Sequence, residues 1–114
     1  MEIKSKDYSI LYDPITTTVS CQGSLRLNGT EEYAPIIQLL SDLANQEPST
    51  ITLDLQNLEF LNSSGINVLS KFVMKVRQKG NIKMVVQGST TIPWQGKSLK
   101  NLQRLMPSLQ LELK

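Results

Sequence analysis

The sequence contains no histidine and only one cysteine, and both scarcities narrow the chemistry open to it. Histidine is the commonest general base and the commonest metal ligand in proteins. Without it, Cys21 cannot join a Cys-His pair, and neither a Ser-His pair nor a zinc site can be assembled. Cys21 cannot form an internal disulfide either, and its place in an apparent strand predicts a buried small residue. The sequence therefore predicts no metal, no cofactor and no catalytic residue, although a site built on lysine or carboxylates stays open.

Long apolar runs and aromatic residues are scarce as well. No apolar run approaches the ~20 residues that span a membrane. Residues 1–7 lack the apolar segment of a signal peptide. Aromatic residues make up 5% of the chain, too few for a platform on which nucleic-acid bases stack. We expect a cytoplasmic protein with neither a membrane nor a nucleic-acid partner.

Basic residues are scarce in the first half of the chain, and acidic residues are scarce in the second. Residues 1–59 hold nine acidic side chains and three basic ones, whereas residues 60–114 hold nine basic side chains and one acidic one. In a single interleaved domain these halves fold onto each other, so the simplest interpretation is solvated faces that attract each other. If the basic half forms a binding surface, its partner should be acidic.

The hydrophobic pattern predicts one α/β domain that covers residues 1–114. Five segments are predicted as strands: 8–12, 15–23, 51–55, 82–86 and 109–113. Three are predicted as helices: one opened by Asn28-Gly29-Thr30 with Thr30 as its cap, one at Ser63–Lys79, and one that Pro107 ends. The order β-β-α-β-α-β-α-β implies an antiparallel hairpin, then right-handed crossovers onto a mixed β-sheet with the helices packed on the sheet.

The most informative segment is residues 53–66, LDLQNLEFLNSSGI. It predicts a buried strand, a short turn, and two hydroxyls, Ser63 and Ser64, where an amphipathic helix begins. A helix N-terminus carries unpaired amides and the positive end of the dipole, so each serine is either a cap or a phosphate acceptor. Asn62 can cap the helix equally well. Gly65 lowers helix propensity, so it serves close helix–strand packing or leaves an open surface for a partner.

This segment resembles the signature of the STAS domains, the anti-sigma factor antagonist family. That signature is a hydrophobic strand with an aspartate, a short loop, then Asp-Ser-Ser-Gly or Asp-Ser-Thr-Gly and a Leu-rich helix. The resemblance implies the mixed-sheet fold above and phosphorylation of Ser63, with Ser64 as a second candidate. The chain departs from the family in two places: Asn62 replaces its aspartate, and Gly23-Ser24-Leu25-Arg26 replaces a frequent Gly-Glu-Leu-Asp. The chain is therefore interpreted as a divergent member with a different partner.

The resemblance also implies a function. A bacterial protein of this kind catalyses nothing and acts in signalling to transcription by binding a protein. A partner Ser/Thr kinase of the anti-sigma type modifies Ser63, a phosphatase reverses this, and the unmodified form binds the kinase or an anti-sigma factor. A weak homodimer is compatible with this role. The expected partner-binding residues are Arg26, Asn62, Ser63, Ser64, Gly65, Asn67 and Trp94.

Two other interpretations remain open. The first is a constitutive scaffold or subunit-interaction module, in which Ser63 only caps the helix and Trp94 forms an interface with the basic last helix. Trp94 is the only tryptophan and either packs on the domain's own core or anchors such an interface. The second is a small-ligand sensor, because some relatives in the family bind nucleotides or lipids.

Overall fold

Six strands form one mixed sheet in the computed structural model, which describes the whole chain, Met1–Lys114. The strands are β1 (Glu2–Lys4), β2 (Tyr8–Asp13), β3 (Thr18–Leu25), β4 (Thr50–Leu61), β5 (Lys83–Gly88) and β6 (Gln110–Leu113). The helices are α1 (Gly29–Asn45), α2 (Ser63–Lys79) and α3 (Gln95–Leu105). The predicted α/β fold is confirmed, with β1 as one additional strand at the start of the chain.

The strands lie side by side in the order in which they occur in the chain. β1, β2 and β3 are antiparallel to one another, whereas β3 to β6 are parallel. The three crossovers step in the same direction across the sheet, so connections of one hand, which is right-handed in nearly all proteins, put all three helices on one face. α1 packs against α2, and α2 against α3. The carboxyl ends of β3, β4 and β5 and the N-termini of the three helices therefore share one edge, which we call the carboxyl edge.

The core lies between the sheet and the helical layer. Along β5, Met84 and Val86 are buried beneath the helices, whereas Lys83 and Val85 point to the open face. Twenty-seven buried apolar residues form one cluster, to which each helix contributes one face. Burying each large aliphatic side chain contributes about 1.5–3 kcal/mol, so this cluster holds the carboxyl edge in place.

The predicted short turn between residues 55 and 63 is wrong, because β4 continues as a strand to Leu61. Its pairing with β3 shifts register twice, and these irregularities accommodate extra residues in β4. They also change the spacing of the buried residues from two, at Leu53 and Leu55, to three, at Leu58 and Leu61. This loss of alternation is why the sequence pattern indicated a turn.

The start of α2 agrees with the prediction, whereas the start of α1 departs from it. Helix α2 has the predicted bounds, Ser63–Lys79, and its C-cap is Gly80, whose φ of 80° is left-handed. Thr30 is not the cap of α1: the cap is Asn28, whose backbone N–H donates to the Glu32 carboxylate at 2.8 Å. Thr30 lies inside the first turn instead.

None of the three helices combines the length and the apolar character that crossing a membrane requires.

Candidate site at the start of helix α2

Ser63 and Ser64 are the first two residues of α2, at the carboxyl edge. Ser63 is exposed and Ser64 is half-buried. Neither is the N-cap, because the Asn62 side chain accepts the capping hydrogen bond from the Gly65 N–H at 2.9 Å. The capping role that the sequence left open among these three residues therefore belongs to Asn62, and the Ser63 hydroxyl faces solvent without that duty.

The Asn62 side chain joins three elements through both ends of its amide. Its Oδ1 accepts from the Gly65 N–H and from the Tyr33 hydroxyl at 2.7 Å, and its Nδ2 donates to the Leu27 carbonyl at 2.7 Å. The partners fix the orientation of the amide, because a backbone N–H can only donate and a carbonyl can only accept. An aspartate cannot donate to Leu27 when ionised. Asparagine, where the family has aspartate, thus matches the contacts of this chain.

Tyr33 completes this network from α1, and the sequence did not indicate it as a site residue. Helical spacing predicts its ring to be in the core, where it is indeed buried, but spacing does not reveal a partner for the hydroxyl. Burial raises the pKa of Tyr33 above its ordinary value. The phenol therefore stays protonated and keeps donating to Asn62.

Gly65 is buried where α2 passes over β4 and α1. A Cβ at this position would collide with the Leu61 side chain and would lie 2.6 Å from the Tyr33 hydroxyl oxygen. The close packing that was one of its two interpretations is therefore present. Its contribution to partner binding stays a prediction.

Arg26 and Phe60 form an exposed pair at the carboxyl ends of β3 and β4. The Arg26 guanidinium lies 4.3 Å from the centroid of the Phe60 ring, a cation–π contact. Phe60 keeps 37% of its surface exposed, unusually much for a phenylalanine. The pair therefore presents a positive charge and part of an aromatic ring to solvent.

Trp94 lies farther along the carboxyl edge and is half-buried against the core. Its Nε1–H donates to the Leu58 carbonyl at 3.1 Å. Most of the indole packs on the domain's own core, and only part of the ring remains for an interface.

Asn67 lies one turn beyond Ser63 on α2 and is exposed.

Gln95 holds the second half of β4 and was not anticipated. It is fully buried, and its Nε2 donates to the carbonyls of Leu55 at 2.7 Å and Leu58 at 3.0 Å. Its Oε1 accepts from the Ser89 N–H at 2.7 Å. β5 pairs with β4 only as far as Asp54, so Gln95 satisfies β4 carbonyls on the side where β5 has ended.

The remaining reactive groups add no catalytic constellation. No three His, Cys, Asp or Glu side chains are grouped so that they could hold a metal ion. Cys21 is buried, and burial, with a smaller effect of the Asp54 carboxylate, raises its pKa to about 12. Its thiol is therefore un-ionised and unreactive near neutral pH.

A family model matches the part of the chain that carries this site. The model of the STAS domain matches residues 26–92, more than half of the chain, including β4 and α2. The chain belongs to the STAS domain family. No curated protein sequence matches it.

Solved structures share the fold of this STAS domain at low sequence identity. A chain in the complex of diguanylate cyclase SiaD with its activator SiaC, from Pseudomonas aeruginosa, is similar with a TM-score of 0.75 and 15% identity, over 100% of this chain and 99% of that one. An anti-sigma factor antagonist from Mycobacterium paratuberculosis gives 0.68 and 20%, over 95% and 90%. The Bacillus cell fate determinant SpoIIAA in its phosphorylated form gives 0.62 and 17%, over 90% and 89%.

Proposed function

We propose that this STAS domain is a non-enzymatic regulatory module that binds a partner Ser/Thr kinase or anti-sigma factor, and that phosphorylation of Ser63 switches its affinity. The observation that carries the proposal is the division of labour at the start of α2. Asn62 caps the helix, which leaves the exposed Ser63 hydroxyl available to a kinase.

The start of α2 can receive a phosphate without unfolding. Of the amides at the helix start, that of Asn62 donates to the Leu25 carbonyl and that of Gly65 to the Asn62 side chain. The amides of Ser63 and Ser64 remain as donors that no earlier turn of the helix can satisfy. A phosphate adds about −1.5 to −2 charge, and the helix dipole stabilises negative charge there by about 0.3–1 kcal/mol.

Phosphorylation then changes how a partner binds and leaves the fold of the domain intact. An anion at the carboxyl edge obstructs a docked surface and repels acidic groups on it. Arg26 stands where the family often has aspartate, so the unmodified edge favours an acidic partner. The kinase supplies ATP, a phosphatase reverses the reaction, and this domain needs no cofactor of its own.

The structural neighbours are compatible with this proposal. SpoIIAA was solved in a phosphorylated form, and SiaC is the activator of the cyclase with which it was crystallised. The phosphorylated form is a property of SpoIIAA, and the activation of a cyclase is a property of SiaC. They support a protein partner and a phosphorylated STAS domain as the first hypotheses to test.

The scaffold interpretation has less support. It assigns the cap to Ser63, whereas Asn62 fills that role. It also needs an accessible Trp94, whose indole is half-buried and bonded to Leu58.

The test is phosphorylation by candidate anti-sigma-type kinases encoded in the same genome, with MgATP, followed by peptide mass spectrometry. Wild type should gain one phosphate on Ser63, and Ser63→Ala should gain none. Ser49→Ala, which alters another exposed serine, should be modified like wild type. If the domain phosphorylated on Ser63 binds the kinase as tightly as the unmodified domain does, the switch is contradicted. If neither Ser63 nor Ser64 is modified, the scaffold interpretation is favoured.

A further inference from the structure

A groove runs between α1 and α2 on the outside of the helical layer. Its volume is about 520 Å³, within the range of about 300–1,000 Å³ that is typical of binding pockets. Its apolar lining comes from both helices: Ile37, Leu40, Val68 and Phe72. We call it the α1–α2 groove.

The groove is about three helical turns long and has two different ends. The two helices run in the same direction, because each follows one of two neighbouring parallel strands. Thr30 and Ser64, from the first turns, line the end at the carboxyl edge, and Ser41 and Lys75 line the other end. The rise along α2 between residues 64 and 75 is about 16 Å, at 1.5 Å per residue. Ser63 lies one residue outside the groove, at its carboxyl-edge end.

The charge in the groove has a single sign. Lys71 and Lys75 line it, and no carboxylate does. The Lys75 ammonium donates to the Ser41 hydroxyl at 2.7 Å, a neutral acceptor that leaves its charge uncompensated. Residues 60–111, which include all of α2 and α3, contain no acidic side chain. An acidic ligand therefore meets positive charge on the second half of α2, from Lys71 onward, and no competing carboxylate on that helix. The acidic residues of α1, Glu31, Glu32 and Asp42, do not line the groove.

We propose that the α1–α2 groove binds an amphipathic helix of a partner protein, with acidic side chains directed to Lys71 and Lys75. A helix laid along two parallel helices buries an apolar stripe over Ile37 and the lysine stems, and three turns of contact match the length of the groove. This inference rests on the proposed function for its regulation only. A phosphate on Ser63 places negative charge and bulk at the carboxyl-edge end of the groove, about 12 Å along α2 from Lys71. It therefore acts on a bound helix mainly by obstructing that end, because repulsion of acidic groups at Lys71 and Lys75 is largely screened over a Debye length of about 8–10 Å.

The probe is a synthetic amphipathic helical peptide of four turns, with leucines on one face and glutamates on the other. Its matched control carries lysines in place of the glutamates. Titration into the isotopically labelled domain, followed by amide NMR shifts, should locate the glutamate peptide at Ile37, Asn67 and Lys71. The lysine peptide should bind at least about tenfold more weakly, since it replaces attraction with repulsion.

Variants of exposed lysines separate groove binding from general attraction. Lys71→Glu should weaken binding of the glutamate peptide about fivefold to tenfold, whereas Lys100→Glu, the same charge change on α3, should alter it less than about twofold. Ser64→Asp, at the groove end, should weaken it about threefold. The affinity should also fall as salt is raised, because partly exposed charges are screened.

Several results overturn the proposal. They are shifts confined to the open sheet face, equal affinity for the two peptides, equal effects of Lys71→Glu and Lys100→Glu, or no binding of the glutamate peptide. Shifts of the groove amides by dodecanoate but not by the peptide would assign the groove to a small amphiphilic anion instead. A dimer in sedimentation that Lys71→Glu dissociates would assign it to a second copy of the chain. None of these measurements requires a kinase, so failure here and failure of Ser63 phosphorylation are distinguishable.

Discussion

Replacing Asn62 by aspartate tests the network that positions the start of α2. In Asn62→Asp, the new carboxylate can still accept from the Gly65 amide and the Tyr33 hydroxyl, but it cannot donate to the Leu27 carbonyl. Leaving a buried carbonyl without a donor costs about 1–3 kcal/mol, and the lower half of that range applies because this contact is only part-buried. A negative cap gains about 0.3–1 kcal/mol from the helix dipole. The expected net loss of unfolding free energy is about 1 kcal/mol.

The assay is urea unfolding at neutral pH, followed by the fluorescence of Trp94, the single tryptophan. Thermal unfolding should show a decrease in Tm of about 4 °C for a domain of this size. Asn67→Asp is the control, because it makes the same chemical change at an exposed position of the same helix and should alter stability by less than about 0.5 kcal/mol. If Asn62→Asp is as stable as wild type while Asn67→Asp is neutral, the donation to Leu27 does not matter and this account of the substitution is wrong.

Three further predictions concern buried groups. Gly65→Ala should lower the unfolding free energy by about 1–3 kcal/mol, because the new methyl group meets the Tyr33 hydroxyl. Gly96→Ala is the control, since there is open space around Gly96 and the unfolding free energy should not fall. Equal urea midpoints of the two variants would refute the close packing. Gln95→Leu should cost about 2–3 kcal/mol by the same assay, since the Leu55 carbonyl loses its donor and the Ser89 N–H its acceptor, while the Leu58 carbonyl keeps the Trp94 indole; a near-neutral change would contradict that role. The Cys21 pKa of about 12 lies above its unfolded value of 9.0, so the contribution of this thiol to the unfolding free energy should be fully present below pH 9 and be lost as the pH rises from 9 toward 12. A Cys21→Ala variant whose stability declines over this range as much as that of wild type would contradict this.

Much of the fold was predictable from the sequence, because the signals are local. The apolar stripe of Ser63–Lys79 ends at Gly80, and the left-handed backbone there is what glycine permits most readily. The short strand β1 was missed because it has only three residues, too few for a hydrophobic period. The extent of β4 was missed because bulges against β3 disrupt the alternation on which prediction depends.

The candidate site was predictable in its position but not in its contacts. The motif located Ser63 and Ser64 at the helix start, where the structure has them. It did not show that Asn62 caps the helix while also binding Tyr33 and Leu27, because those partners lie 29 and 35 residues away in the chain. Long-range hydrogen bonds of this kind leave no periodic signal in the sequence.

The most direct test of the central claim is phosphopeptide mapping of this protein isolated from its native cells. The account predicts that phosphate is found on Ser63, that the modified fraction varies between growth conditions, and that chromosomal Ser63→Ala abolishes it while Ser49→Ala does not. Protein that never carries phosphate on Ser63 under any growth condition, or that carries it only at a site remote from the start of α2, would contradict the account.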